Sequence, residues 1–248
     1  MRRWQVLLVA GLIGVASLLL VPFEMLISKP MPAVAIRFLG LINPTILTMF
    51  AVLIGEVTSR TVRLRAPLID AWIASEDSRA VLSRQLRPAL IVAVAVAAIL
   101  VAYNLSVGRA LLAAAAAQRS PLATFDLPLV SRLLYGGITE ELLTRWGLVS
   151  LFAWIGWWLV GRPERLPNSV AITAVTAAAL LFGAGHLPVL FLITPQTTPT
   201  IVITVLVANA VPGILFGALY IRNGLEAAII AHAAAHLLAA IVSATAEF

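Results

Sequence analysis

The sequence predicts an all-α protein, a polytopic transmembrane helix bundle of about seven spans (range six to eight). Three observations carry that prediction. Of 248 residues, 61% are hydrophobic and 11% charged, with a mean hydropathy of +1.02; a soluble fold carries about twice that charged share. Several apolar runs reach the roughly 20 residues that a helix needs to cross a ~30 Å hydrocarbon core. The arginines gather between those runs, as a bias toward one side of a bilayer requires, so the net charge of +6 is explained by topology and no nucleic-acid partner is expected. There is no cysteine, which excludes disulfides and thiol catalysis. The length suits one helical bundle without a separate soluble domain.

Met1-Arg2-Arg3 and the apolar residues after it resemble a signal peptide. The apolar stretch continues to Ile27 with no small-residue cleavage site, so a retained first span is expected over about 5–27, its N-terminus cytoplasmic. A second span, about 34–57, follows a turn at Lys29-Pro30 and ends at Glu56; Glu24 and Glu56 read as interfacial. Residues 58–87 form the longest polar segment, with Arg60, Arg63, Arg65, Arg79, Arg84 and Arg87 against Asp70, Glu76 and Asp77. The positive-inside rule makes this a basic cytoplasmic loop, and its middle, Ala66 to Ile73, is a candidate for an amphipathic helix on the membrane surface. A third span opens at Pro88 and runs to about 107. The outer connection after it holds Arg109, Arg119 and an alanine run, Ala113 to Ala117, expected to be a packing helix.

The fourth apolar region, Leu127 to Val160, would be about 50 Å long as one helix, more than the hydrocarbon core is thick. It must tilt or break, and Gly136-Gly137 is the expected break. Gly161-Arg162-Pro163-Glu164-Arg165 closes it on the cytoplasmic side. Spans over about 169–191, 200–221 and 225–246 complete the bundle, with the Thr194 to Thr200 loop outside. This alternation puts eleven arginines inside against Lys29, Arg37, Arg109 and Arg119 outside. The expected organisation is an N-terminal set of helices, 1–110, holding the basic loop 58–87, followed by a helical core, 111–248. No internal repeat of the transporter kind is visible.

Glu140-Glu141-Leu142-Leu143-Thr144-Arg145 heads an apolar run. A charge at bilayer depth costs on the order of 2.5–3.5 kcal/mol, so ionisable groups there are candidates for function. Arg145 lies four residues after Glu141 on one helix face, while Glu140 points about 100° away. The three histidines all fall in predicted spans: His186 in the fifth, His232 and His236, at i and i+4, in the seventh. A single one would read as a contact between helices. Three with two glutamates read as a site, and the alanines between His232 and His236 let a helix or substrate approach.

Glu140-Glu141-x-x-x-Arg145, Phe182-x-x-x-His186 and His232-x-x-x-His236, in that order on separate spans, resemble the three signature motifs of the CAAX-protease and bacteriocin-processing (CPBP, Abi or Rce1-like) intramembrane protease family. Residues 213–225, a glycine-spaced helix and short turn, are similar to that family too. The resemblance covers about 130–240, making 111–248 a CPBP-like catalytic core; residues 1–110 add only span count. Trp146 stands where the family often has Gly, and His236 where it often has Asn. The resemblance implies an intramembrane endopeptidase acting on a membrane-associated peptide or protein in the lipid bilayer, by a mechanism for which both metal-dependent and metal-independent forms have been proposed. A prenylated substrate is not implied.

Peptide hydrolysis needs a base, a group that orients water, and donors for the developing oxyanion. Beside the resemblance, the residues support Arg145 holding Glu141 ionised and structural, Glu140 as general base sharing the water with His186, and His232 and His236 stabilising the tetrahedral intermediate. A rival version uses His186, His232, His236 and Glu140 as zinc ligands, although the His-Glu-x-x-His arrangement is missing; the metal-independent version is adopted. Two other classes stay open: a proteolytically silent immunity or scaffold protein, and a proton-coupled transporter in which Glu and His form a relay. Depth sets a condition. Glu140 and His186 fall toward the outer ends of their spans and His232 nearer the inner end, so helices must tilt or break, with Pro188 and Pro212 as places for it. Gly213-x-x-x-Gly217 reads as close helix packing.

Overall fold

The computed structural model describes residues 2–26, 31–111, 113, 127–194 and 197–245. These residues are helical with short connections and contain no strand. Among the described residues, seven helices are long and apolar enough to cross a membrane. The Lys29-Pro30 turn, Arg119, the alanine run beyond Ala113, and Pro195-Gln196 of the expected outer loop lie outside the described residues.

Helix α1 spans Arg3–Ser17 and tightens into a 3₁₀ turn at Leu18–Leu20. The first span thus ends short of the expected Ile27. Val21 precedes Pro22 and is extended (φ −81, ψ 129), because the proline ring disfavours helical geometry in the residue before it. Phe23–Leu26 is a separate 3₁₀ turn, tied down by the ion pair of Glu24 Oε1 with Arg37 Nη2 at 2.5 Å. That hydrogen bond holds the Glu24 carboxyl below its ordinary value.

Helix α2, Ala33–Thr61, continues beyond the expected stop at Glu56. The carboxylate of Glu56 is neutralised by Arg3 Nε at 2.9 Å and by Arg60 one turn on, so the helix can carry it. Helix α3, Pro67–Ile73, forms where an amphipathic segment is expected. It also caps the bundle, since the Ile69 N–H donates to Glu226 Oε1 at 2.9 Å and the Leu225 N–H donates to the Arg65 carbonyl at 3.0 Å. Helix α4, Ser78–Leu111, starts ten residues before Pro88, which lies inside it. Asp77 caps this start by accepting the Arg79 N–H at 3.0 Å, as short acidic side chains do. Arg79, Arg84 and Arg87 are therefore on a helix and not in a loop.

Helix α5, Leu129–Leu159, is unbroken at Gly136-Gly137. Two π-helical stretches, Arg132–Glu140 and Leu142–Val149, widen it; such turns gather at functional sites. The glycine pair serves packing: a Cβ on Gly137 would lie 2.7 Å from Ala233 Cβ, and one on Gly136 3.2 Å from His236 Nε2. Helix α6, Asn168–Gly185, gives way at His186 to α7, Leu187–Ile193, so the break expected near Pro188 occurs. Helix α8, Pro199–Asn223, passes through Pro212 without interruption. Gly224 turns the chain with φ +96, a conformation that glycine adopts without steric cost, and α9, Leu225–Thr245, follows.

The core is organised around α5, whose Leu142, Trp146, Val149 and Ala153 are buried. Small residues bring its neighbours close. On α1, Gly11 leaves room for Thr48 and Leu142, and its carbonyl accepts Thr139 Oγ1 at 2.8 Å. Gly147 meets Ala51 of α2, where an added Cβ would stand 2.8 Å from the alanine methyl. Gly213 and Gly217 seat α8 on Ala179 and Val175 of α6, the close packing their spacing predicts. Helix α4 lies along α9. Apolar side chains such as Val34, Val57 and Ile172 point outward, 66%, 70% and 67% exposed, which suits a lipid-facing surface.

Candidate active site

Adjacent carboxylates on α5 have different surroundings. Glu141 is fully buried. Its Oε1 accepts from Arg145 Nη1 at 3.0 Å and from His232 Nδ1 at 2.7 Å, while Oε2 has no hydrogen-bond partner among the described residues. The i, i+4 pairing expected from sequence is therefore present. Arg145, 2% exposed, also donates to Thr144 Oγ1 and, through Nη2, to the Gly213 carbonyl at 3.0 Å. Its guanidinium carbon lies 5.8 and 5.4 Å from the ring centres of Phe182 and Phe216, within cation–π range. Removing one partner of such a buried pair strands the other, which is why buried charges come paired.

The Glu140 carboxylate lines a cavity of about 150 Å³ with His186, His232 and His236. His232 sits on α9 and stacks on Phe216, with ring centres 4.6 Å apart. Its Nδ1 faces a carboxylate, an acceptor, and so carries a proton. Its Nε2 lies 3.2 Å from His236 Nε2 and 4.0 Å from Glu140 Oε2. With a neutral His232, the His236 Nε2–H donates to it; with a charged His232, the direction reverses. His186 occupies the junction of α6 and α7. Its Nδ1–H donates to the Phe182 carbonyl at 2.9 Å, which leaves Nε2 an acceptor in the neutral ring.

All the residues singled out from sequence thus meet in one place, with Glu141 and Arg145 behind the four that line the cavity. The apparent mismatch in depth has a structural resolution. Helix α9 starts inside the bundle under the α3 cap, where Gln85 Nε2, two turns into α4, donates to the Asn223 carbonyl at 2.8 Å and to Glu226 Oε2 at 3.2 Å. A helix that begins that far in carries His232 to the layer of Glu140.

The cavity also holds residues that no motif marks. Tyr135 and Asn209 line it with Val96 and Leu100 of α4. At 3.6 residues per turn, Tyr135 would lie about 140° from Glu140; the i→i+5 turns of the π-helical stretch bring residues five apart toward a common face. Val96 and Leu100, at helical i, i+4 spacing, show in the sequence only as two apolar residues of a span. Among the described residues, no three His, Asp or Glu side chains converge as a metal ion's ligands, and the Nδ1 atoms of His186 and His232 are both engaged. The engaged Nδ1 atoms leave Nε2 of each ring as the remaining donor, and no step is drawn through a metal.

Residues 123–238 match a family model described as type II CAAX prenyl endopeptidase Rce1-like, a stretch that includes both glutamates, Arg145 and the three histidines. No curated protein and no solved structure matches the chain.

Proposed function

The chain belongs, through residues 123–238, to the Rce1-like group of the CPBP/Abi family, and from that premise we propose that it is an intramembrane endopeptidase hydrolysing a peptide bond of a membrane-associated protein or peptide. The observation that carries this reading is the division of labour between the carboxylates. Glu141 is sealed against Arg145 and His232, and Glu140 opens on a cavity with three imidazoles. Helices 111–248 supply the reacting groups, and residues 1–110 contribute the apolar wall at Val96 and Leu100.

In the proposed mechanism a water donates one hydrogen bond to Glu140 and the other to His186 Nε2, which leaves an oxygen lone pair for the substrate carbonyl. Glu140 takes a proton as the oxygen attacks. The negative charge that develops on the carbonyl oxygen is met by the N–H of His236, which is held in place by His232, itself oriented by Glu141 through Nδ1. Glu140 then passes its proton to the leaving amine as the C–N bond breaks. General base catalysis of this kind contributes roughly 10²–10⁴ in rate, and each oxyanion donor roughly 10²–10³.

The test is cleavage of membrane peptides by detergent-purified protein beside Glu140→Gln and His186→Ala, with and without chelator. Loss of cleavage in both variants at unchanged melting temperature, and no effect of chelator, is expected. Cleavage that persists in Glu140→Gln would overturn the assignment of the base. Inhibition by chelator that zinc reverses would overturn the metal-independent mechanism.

A further inference from the structure

At the end of the bundle opposite to the α6–α7 junction, a second cleft of about 340 Å³ opens between the end of α2 and the connection from α5 to α6. Its size falls at the lower end of the range for small-molecule sites. Arg63, Arg65 and Arg165 line it, with Glu164 as the one acid and Trp157 on the wall. We propose that this cleft binds a phosphate-bearing headgroup of an anionic lipid. The proposal is independent of the peptidase reading.

Three observations support it. The arginines come from segments about 100 residues apart and converge, and none has an ionic or hydrogen-bonded side-chain partner among the described residues. By contrast, four arginines are ion-paired: Arg3 with Glu56 and Asp70, Arg37 with Glu24, Arg60 with Glu56, and Arg145 with Glu141. An arginine near the end of α2 and another beyond α5 suit the helix dipoles. Three around one cleft with a single acid leave an excess of positive charge and a set of planar donors matched to phosphate oxygens.

The second observation is backbone geometry. Helix α2 ends with Arg63 at φ +58 and α5 with Gly161 at φ +88 followed by Arg162 at φ +57. The reversals are closed by the Leu64 N–H on the Ser59 carbonyl at 2.9 Å and the Arg162 N–H on the Trp157 carbonyl at 3.0 Å. The cleft is thus framed by hydrogen-bonded turns, one of which carries Arg63 and the other of which starts the connection that carries Arg165. The third is depth. Trp157 is anchored by its indole N–H on the Pro163 carbonyl at 2.7 Å, and Trp158 and Trp72 are 50% and 57% exposed nearby in the chain and at the same end. Tryptophans concentrate at headgroup level, and basic pockets between transmembrane helices there take anionic headgroups. That location favours a lipid over a soluble anion.

The experiment is native mass spectrometry of the purified full chain in detergent with phosphatidylglycerol and phosphatidylcholine at equal concentration. The wild type is expected to retain phosphatidylglycerol in preference. Arg63→Gln with Arg165→Gln should weaken it by roughly ten-fold, the order of one lost charge-assisted contact. A control of equal charge change outside the cleft, Arg79→Gln with Arg84→Gln, should leave retention unchanged. Equal weakening in both pairs, or no preference in the wild type, would overturn the proposal. Displacement of the lipid by glycerol 3-phosphate at similar concentration would overturn the lipid and leave a soluble phosphate ester as the ligand. Should the double variant melt lower than wild type, Arg165→Gln alone, an exposed side chain, carries the same comparison.

Discussion

Glu140 and Glu141 differ by one position and by what each side chain reaches, and opposite outcomes follow for the same substitution. Glu141→Gln leaves Arg145 buried without its counter-charge. Breaking a buried pair in this way costs about 3–5 kcal/mol, so melting in detergent should fall by roughly ten degrees. Glu140→Gln should leave melting within a degree or two while hydrolysis falls by roughly 10²–10⁴; the reverse pattern would exchange the two roles. His236 gives a second residue-level prediction. His236→Asn keeps a donor and should hold activity within about ten-fold, whereas His236→Leu should lose about 10²–10³, read as cleavage rate at saturating peptide. Much of this site was legible in the sequence because intramembrane charges are costly and therefore few. The Glu141–Arg145 pair followed from i, i+4 spacing. The His232–Glu141 bond did not, since spacing on one helix says nothing about which carboxylate a second helix meets. Tyr135 was hidden by the assumption of α periodicity.

Glycine seams and prolines govern the elements. Gly137→Ala would place a methyl 2.7 Å from Ala233 Cβ and 3.1 Å from its Cα, and would push α9 from α5. The expected cost is about 1–3 kcal/mol with a parallel loss of cleavage, and Ala233→Gly in the same chain should restore part of both. Unchanged melting in Gly137→Ala would mean that the two helices do not rely on this contact. The seven spans could be placed from hydropathy alone, and most of their ends fell close to the expected positions. The larger errors involve proline and glycine. Pro22 ends a span early, Pro88 lies within one, and Gly136-Gly137 permits close approach without a break. A proline starts, kinks or ends a helix according to the caps and partners around it, as Asp77 does for α4, and those partners are tertiary.

For the molecule as a whole, the distribution of arginine predicts orientation, with residues 60–87, 161–165 and 222–226 facing the cytoplasm. The absence of cysteine makes the check direct. Glu164→Cys and Thr197→Cys, one at each end of the bundle, should react with a membrane-impermeant maleimide from opposite sides, Glu164→Cys only after the cytoplasmic face is opened. Labelling of both from one side would overturn this topology. The architecture also bears on how the protein is made. The Glu226 carboxylate that fixes α3 accepts from Ile69, 157 residues earlier, and His232 arrives on that same late helix to meet Glu141. Once the first six spans are made, the glutamates and the walls that α4, α5, α6 and α8 give the cavity are present, and the α9 wall is still missing. A chain truncated before Leu225 therefore lacks both His232 and His236, and is expected to show no cleavage.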